Sequence, residues 1–569
     1  MLAGHPIPRS VWSPFVYLWQ DVLVALVLGV VARFARRPAI VWSLYAIVAA
    51  HVAINVPIAR ELSSPLTLTM MRGAGGALAD SIGHYLTPAN LALIALMVMT
   101  ATLAPWLIAR VNISIGIGRT RLAVAGALVW VLIGAMATPQ LDTVGRHRNA
   151  IATLLPRTAP DAGSGPASSD WRASPFPAAA PRAADDLTRV HASARDSNVL
   201  LIALESTAAR YLKIYGADRD PMPNLTRLAN RGLVVDDAYA VYPESIKGLF
   251  STLCSRFPAY DTPAEIYAEV PCTSIAQRLE TAGYRTALFH SGRFDYLGMR
   301  AVIEQRGFDV LEDAGAIGGN VNSSFGIDEA SSVRRILQWL DTLGTDERFF
   351  ATYLPIAGHH PYATVAPGPF NDGTELGQYF NALHEGDAAL GELVAGLVAR
   401  QLDRNTVIVI FGDHGEAFLQ HDGNVAHTQF IYDENMRVPF VIALPAGDKG
   451  APGPTRVNRV LSLIDTAPTI LDVLGLAPVA EHQGVSVFSR EPRMALFFTD
   501  YSLGWLGLRD GCWKYMLQLD AGRSSLFDVC ADPGESINRA RDDEGRVRAY
   551  RERVEQWSAA QRQAIAARR

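Results

Sequence analysis

The chain has 569 residues, 49% of them hydrophobic, and a formal net charge of −5. That length is too great for one compact core, so several units are expected. The mildly acidic balance argues against a nucleic-acid partner, and the mean hydropathy is slightly positive because apolar residues crowd the first part of the chain.

Four apolar segments come first, at about Val11 to Ala32, Ile40 to Ile58, Leu91 to Ile108 and Leu122 to Ala137. Each is near the length a helix needs to cross a bilayer. Arg33, Arg36 and Arg37 follow the first segment, and Arg110, Arg119 and Arg121 lie between the third and fourth. The positive-inside rule makes both connections cytoplasmic, which puts the N-terminus and everything after the fourth span outside. Gln20 and Asp21 interrupt the first segment. A central Asp costs about 2.5–3.5 kcal/mol on insertion scales, so Asp21 is expected near the outer face. Leu62 to Tyr85, with Arg72, Asp80 and His84 among small and apolar residues, reads as an amphipathic segment on the outer surface. The N-terminus lacks the basic region and short apolar core of a cleavable signal peptide. Residues 1–150 are thus read as a transmembrane domain of about four spans.

Pro156 to Ser197 is rich in Pro, Ala, Ser and Asp and has no apolar periodicity. A linker over residues 151–196 follows, a semi-extended tether that lets the next domain reorient. Trp171 and Phe176 are its candidates for contact with the bilayer surface.

Asn198 to Leu204 (NVLLIAL) is an apolar run suited to a parallel strand buried on both faces, and it ends in Glu205. Pro223, Leu225, Leu228 and Leu233 have helical spacing. In YPESIKGLFSTLCS, Ser245 precedes the helical pattern Ile246, Leu249, Phe250 and Leu253. Ser245 therefore sits at or beside a helix N-terminus, where backbone N–H groups favour an anion; an ordinary N-cap serine fits the same pattern. Further strands are expected at Arg285 to His290, Phe349 to Ile356, Val407 to Phe411 and Val438 to Leu444. Helical patterns fall at Ser274 to Ala282, Ser331 to Leu343 and Leu383 to Leu402. Strands alternating with helices imply a mostly parallel central sheet with helices on both faces. In such sheets chemistry gathers beyond the carboxyl ends of the strands. There stand Glu205, His290, His360 and, within the run Gly412-Asp413-His414-Gly415-Glu416, the pair Asp413-His414. Carboxylates and imidazoles delivered to one edge point to metal or acid–base chemistry.

The four cysteines form two pairs of equal separation, Cys254 with Cys272 and Cys512 with Cys530. No CxxC or Cys-His pattern suggests a zinc knot. Outside the cytoplasm two local disulfides are the natural pairing, with four buried thiols as the alternative. Trp513 to Leu517 and Leu526 to Val529 are strand-like, and a bond between Cys512 and Cys530 would clip them together.

FGDHGEAF, with NVLLIALES upstream and VPFVIAL downstream, resembles the alkaline phosphatase/sulfatase superfamily. Within it the chain is similar to the membrane-anchored branch of lipoteichoic acid synthases and lipid A phosphoethanolamine transferases. The resemblance spans roughly Asn198 to Asn538. It implies a sulfatase-like catalytic domain over residues 197–490 and a small C-terminal α+β subdomain over 491–569. It also implies one divalent metal held by Glu205, Ser245, Asp413 and His414, with Ser245 as nucleophile. This oxygen and nitrogen set suits Zn²⁺ or Mn²⁺ better than Ca²⁺. His360 and His427 correspond to substrate-binding histidines, with His421 an alternative to the second. Arg293 is placed to neutralise a phosphate or to form a surface salt bridge, and Glu416 to orient His414 or its loop.

Departures from the pattern shape the expected activity. The named relatives use threonine where Ser245 stands, and Ser251 and Thr252 lie nearby. Sulfatases proper pair two aspartates after the first strand, whereas Ser206 follows Glu205. Lys247 and Leu249 occupy the Pro and Arg places of the C/S-x-P-x-R frame that formylglycine formation requires, which disfavours that chemistry. The resemblance therefore implies a membrane-anchored, metal-dependent phosphotransferase of phosphoethanolamine or phosphoglycerol type. Through phospho-Ser245 it would move a head group from a lipid donor to a glycan or lipid acceptor. An extracytoplasmic phosphodiesterase or sulfatase is the alternative, and a catalytically silent binding or sensing protein a second. The expected location is a bacterial inner membrane, multi-pass, with the catalytic domain on the periplasmic or extracellular side. No residue pattern specifies an oligomeric state.

Overall fold

A computed structural model of the chain describes residues 7–61, 65–67, 71, 86–110, 117–154, 170–177, 187–323, 325–446, 455–489, 492–501 and 504–567. Four helices open it: α1 (Ser13–Phe34), α2 (Pro38–Glu61), α3 (Pro88–Arg110) and α4 (Ile117–Ala137). All four are long and apolar enough to cross a membrane, and most of their surface is left outside the protein core. Apolar residues outside a core need a lipid solvent, and a helix satisfies its own backbone there. α1 packs on α4 and α2 on α3. The first contact is close because Gly134 has no side chain: a Cβ there would lie 2.4 Å from that of Trp19. Gln20 accepts the Asn149 backbone N–H at 2.7 Å, and Asp21 accepts the Asn149 side-chain N–H at 2.5 Å. The polar interruption of α1 thus meets the segment that leaves α4. Arg72, Asp80 and His84 of the expected surface segment lie outside the described residues.

The soluble domain is organised on a nine-stranded sheet among the described residues. Its strands are β1 (Asn198–Leu204), β2 (Leu233–Tyr239), β3 (Tyr284–His290), β4 (Val310–Glu312), β5 (Arg348–Leu354), β6 (Thr406–Gly412), β7 (Arg437–Val438), β8 (Phe440–Ala443) and β9 (Thr455–Ser462). The order is β7-β2-β8-β6-β1-β5-β3-β4, with β9 also paired to β2. From β6 to β4 every pairing is parallel, and β8 runs antiparallel between β6 and β2.

The apolar run of β1 explains why it lies at the centre. Val199, Leu201 and Ala203 enter one core, while Leu200, Ile202 and Leu204 enter another on the opposite face. Both faces must therefore be covered. α5 (Ser245–Cys254) covers the first through Ile246, Leu249, Phe250 and Leu253. α6 (Glu329–Leu340) and α7 (Glu375–Ala399) cover the second with Ile336, Trp339, Leu390 and Leu393.

Two elements differ from the sequence expectation. The helix expected to reach Leu233 ends at Ala229, and Leu233 opens β2. Gly232 makes the turn possible, since a Cβ there would lie 2.5 Å from the Ile442 carbonyl oxygen. The strand expected from Val438 to Leu444 is divided at Pro439 into β7 and β8 and runs antiparallel to its neighbours. Proline has no N–H to give a ladder.

A second sheet of four antiparallel strands follows: β10 (Ala495–Thr499), β11 (Trp505–Asp510), β12 (Trp513–Gln518) and β13 (Arg523–Asp528), with α8 (Glu544–Ala566) against it. Both cysteine pairs are bonded, Cys254 to Cys272 and Cys512 to Cys530.

The linker is not a free tether over its described part. Arg172 binds Asp465 through both guanidinium nitrogens, Nη2 reaching Oδ2 at 2.7 Å, and its Nε donates to the Met494 carbonyl at 2.8 Å. Arg553 donates to the carbonyls of Trp171 (3.0 Å) and Ala173 (2.5 Å). Phe176 meets Tyr550 edge-on at 5.3 Å, and Trp171 packs on the same cluster. These two aromatics face the C-terminal subdomain, not the bilayer, because that sheet and helix offer them a dry surface. The segment after α4 is docked as well. Arg146 binds Asp422 with two hydrogen bonds of 2.8 and 2.6 Å, and Arg523 reaches Asp142 at 2.5 Å. Between α2 and α3, Thr67 donates to the Tyr501 carbonyl at 3.0 Å.

Arg172 and Asp465 have side chains only 4% and 3% exposed. Removing one partner of such a pair strands a buried charge, at a cost of about 3–5 kcal/mol. Arg172→Ala should therefore lower the thermal unfolding midpoint of the detergent-solubilised protein clearly. Arg219→Ala, which breaks the half-exposed pair with Asp372, should leave the midpoint nearly unchanged, because solvent screens an exposed ion pair.

Candidate active site

Strand register builds the site. β1 and β6 pair in parallel with Leu204 opposite Gly412. The residues that follow, Glu205 and Asp413, are therefore neighbours beyond the sheet edge, and the Asp413 N–H donates to the Leu204 carbonyl at 3.1 Å. Gly412 permits the closeness: a Cβ there would lie 2.3 Å from the Thr207 carbonyl oxygen.

Ser245 arrives from the other side. It is the first residue of α5, and Glu244 is the cap, its carboxylate accepting the Ile246 N–H at 3.1 Å. The serine is thus not the N-cap; its hydroxyl points into the acids. Oγ lies 2.6 Å from Asp413 Oδ2 and 2.9 Å from Glu205 Oε2. His414 Nε2 lies 3.5 Å from Ser245 Oγ, 3.5 Å from Glu205 Oε1 and 3.6 Å from Asp413 Oδ2. Its Nδ1 sits 3.0 Å from the Gly415 carbonyl oxygen. A carbonyl can only accept, so Nδ1 carries a proton and Nε2 is the nitrogen that faces the cluster.

The electrostatics fit a cation. Burial and the facing Glu205 carboxylate push Asp413 up. Burial also opposes ionisation of Glu205, but the facing His414 above all outweighs it and holds that carboxyl down. Burial works against protonation of His414, yet the two acids raise it to about 9. Two dry carboxylates, an imidazole lone pair and a hydroxyl form the oxygen and nitrogen set a divalent ion takes. Ligand atoms of Glu205, Asp413 and His414 all lie within 4.8 Å of one another.

Glu416 is placed otherwise than expected. It is wholly buried and accepts from Tyr362 (2.6 Å) and His427 Nδ1 (2.6 Å), so it orients His427 instead of His414. Burial pushes its carboxyl up to about 7. The His427 ring lies 4.2 Å from that of His414.

A pocket of about 760 Å³, its mouth included, opens over this cluster. Glu205, Ser245, Asp413, His414, His427 and Arg293 all line it. His360 and His421 do not. His360 faces Glu375, with Nε2 4.0 Å from Oε1. Its neighbour His359 lines the pocket instead, its ring 3.8 Å from that of Phe325. His421 stacks on Tyr432 at 3.6 Å and binds Glu434 through Nδ1 at 2.6 Å. The reading of the sequence passed over Glu244, Tyr296 and Phe325, which also line the pocket. Glu244 had a signal, an acid at a helix start beside the serine. Tyr296 and Phe325 sit on irregular connections and had none.

Fold and site together give an α/β domain that brings a serine hydroxyl, two acids and an imidazole to one edge of its sheet. Residues 197–476, just under half of the chain, match the sulfatase family model, and the fold of this domain is similar to that of solved proteins of the alkaline phosphatase superfamily. Arylsulfatase K of Mus musculus is 27% identical over 37% of this chain and 42% of its own. Delta 4,5-hexuronate-2-O-sulfatase of Bacteroides thetaiotaomicron is 30% identical over 26% of this chain and 34% of its own. The chain thus spans less than half the length of these curated relatives. Among solved structures, the lipoteichoic acid synthase LtaP of Listeria monocytogenes is similar with a TM-score of 0.53 at 21% identity, covering 65% of this chain and 93% of that one. The phosphonate monoester hydrolase of Agrobacterium radiobacter is similar with a TM-score of 0.52 at 17% identity, over 64% and 96% of the two chains.

Metal analysis of the purified protein should find one divalent ion per chain. Asp413→Asn and His414→Ala should each weaken its retention by about 100-fold or more, beyond the 10–100-fold typical of outer partners. His421→Ala should leave retention unchanged.

Proposed function

We propose that the chain is a membrane-anchored phosphotransferase that takes a phosphoryl-linked head group from a lipid donor onto Ser245 and passes it to a glycan or lipid acceptor. The observation that carries this reading is the Ser245 hydroxyl held 2.6 Å from Asp413 and 2.9 Å from Glu205 at the start of α5. Helix N–H groups there favour an anion, as a phosphodiester is.

Glu205, Ser245, Asp413 and His414 would hold one Zn²⁺ or Mn²⁺. When bound, the ion supplies positive charge to phosphoryl oxygens and lowers the pKa of the hydroxyl. Ser245 Oγ forms the bond to phosphorus as the donor's P–O bond breaks, and the donor alcohol leaves. The Ser245 proton has Asp413 Oδ2 as its near acceptor. Glu416 holds His427 by Nδ1, which leaves Nε2 for the substrate. Burial and His414 keep His427 well below the usual imidazole range. Its Nε2 therefore stands unprotonated, suited to take the proton of the acceptor hydroxyl in the second half-reaction. Arg293 neutralises the phosphoryl group from the pocket wall. Lys247, buried against Asp500 at 2.7 Å, occupies the place of the formylglycine-frame proline, which weighs against sulfate-ester chemistry of that kind.

Four apolar helices, arginines clustered at two of their connections and two bonded cysteine pairs support a multi-pass inner-membrane protein with its pocket on the periplasmic side. A hydrolase reading differs only in its acceptor, water, and the fold shared with the phosphonate monoester hydrolase favours keeping it as the second reading.

Incubation with head-group-labelled bacterial lipids and Mn²⁺ or Zn²⁺ should leave the head group on Ser245 by mass spectrometry. Ser245→Ala should abolish the adduct and lower turnover by roughly 10³-fold or more, with unfolding unchanged. Undiminished turnover in that variant rejects the nucleophile. Release of head group at the same rate with and without acceptor assigns the chain to the hydrolases.

A further inference from the structure

The C-terminal subdomain has no part in the reaction just described, yet it reaches the chain around the nucleophile. The Phe498 N–H of β10 donates to the Val241 carbonyl at 3.0 Å, and the Phe498 and Tyr242 rings lie 5.1 Å apart. Just past that strand stands Asp500. Its Oδ1 accepts the Tyr242 hydroxyl at 2.6 Å. Its Oδ2 accepts the Lys247 ammonium and the Asp261 N–H, each at 2.7 Å. Tyr242 is three residues before Ser245 and Lys247 two after it. One carboxylate therefore holds the chain on both sides of the nucleophile. Asp500, Lys247 and Tyr242 are not among the residues that line the pocket.

Lys247 ties the first turn of α5 together. Its side chain and that of Asp500 are only 7% and 5% exposed, and its ammonium lies over the Tyr242 ring at 4.5 Å. The Glu244 carboxylate caps the helix by accepting the Ile246 N–H at 3.1 Å; it also accepts the Lys247 N–H and faces the same ammonium. A buried ion pair is a poor source of stability, because apolar residues of similar volume often serve as well or better. What a fully satisfied polar network does supply is one fixed geometry. Ser245 needs that. Its hydroxyl must stand between two acids, 2.6 Å from one and 2.9 Å from the other, and a misplacement of about 1 Å can cost roughly 100-fold in rate. The neighbours of Asp500 are held as well. Thr499 donates to the Thr428 carbonyl, beside His427, and the Tyr501 carbonyl accepts Thr67 at 3.0 Å.

We propose that Asp500 is a positioning residue for the nucleophile: by holding Tyr242 and Lys247 it fixes where the Ser245 hydroxyl stands, so that the C-terminal subdomain completes the active site without touching substrate. The inference rests on the reading of Ser245 as nucleophile and adds the group that places its hydroxyl. Asp500 takes no proton from the reaction and forms no bond to phosphorus.

The test uses the full-length protein in non-ionic detergent micelles with head-group-labelled bacterial lipids, and reads kcat, KM and the rate of adduct formation on Ser245. Asp500→Asn alone would strand the buried ammonium, so the main variant combines Lys247→Met with Asp500→Asn and removes both charges together. Its thermal unfolding midpoint should stay near that of the wild type. Its kcat and adduct rate should fall together by about 100-fold, with KM unchanged. Tyr242→Phe keeps the ring and loses one hydrogen bond to Asp500. It should give a smaller loss of the same kind, about tenfold, and it decides the matter if the double variant unfolds. Wild-type kcat in the folded variants overturns the inference, as does a loss that only follows the unfolded fraction or appears in KM alone. Ser245→Ala separates the two readings. If it abolishes the adduct while the other variants match the wild type, the nucleophile stands and the positioning role falls. If it turns over like the wild type, or the wild type forms no adduct, both fall.

Discussion

Two carboxylates held side by side and nearly buried are the constraint on which the rest of this molecule turns. Glu205 and Asp413 follow the paired ends of β1 and β6, and no choice of rotamer can carry them far apart. Like charges in a dry site cannot both ionise unless something positive stands between or beside them. His414 answers part of the demand and a divalent ion would answer the rest. Ser245 is held by the same two acids, so whatever relieves their repulsion also sits beside that hydroxyl. Nothing else among the described residues brings a hydroxyl, two acids and an imidazole within such reach.

The surroundings keep that arrangement from relaxing. Both faces of β1 are packed, one by α5, which carries Ser245, and the other through the core beneath α6 and α7. The membrane domain is tied to the same loops. Arg146, just beyond α4, grips Asp422, which lies between Asp413 and His427 in the chain. Arg172 grips Asp465, and Thr67 reaches Tyr501. A free tether would give an enzyme reach over the membrane; these contacts give it a fixed stance. For a lipid-borne substrate a fixed stance has an advantage, since orientation is settled before the substrate enters.

Much of this was legible before the fold was seen, and for a physical reason. Buried parallel strands must be written as continuous apolar runs, so NVLLIAL and VIVIF announce themselves, and chemistry can only follow at their ends. Glu205, Asp413 and His414 were found that way. Elements whose burial is mixed were harder. β2 carries Asp236 and Asp237 inside an otherwise apolar strand, and its opening Leu233 falls at helical spacing from Leu225 and Leu228. The docked strap at residues 170–177 has linker composition, and only long-range partners such as Asp465 give it a structure. His359 and His360 show the finest limit. Adjacent residues in an irregular turn point apart, and composition has nothing to say about which one enters the pocket.

The two histidines that do face the cluster are separated in role by what holds their other nitrogen. His414 gives its Nδ1 proton to a neutral carbonyl, while His427 gives its own to Glu416. The first remains tied to two acids, which pull it toward the charged form in the absence of a cation. The second is dry and beside a charged ring, which drives it to the neutral form. Glu416 nonetheless keeps the ring from turning, because Tyr362 holds its other oxygen. One histidine is thereby suited to the cation and the other to the proton, although their rings lie 4.2 Å apart. Exchange of the two roles would require Glu416 to leave a wholly buried site, so the division of labour is built into the packing itself.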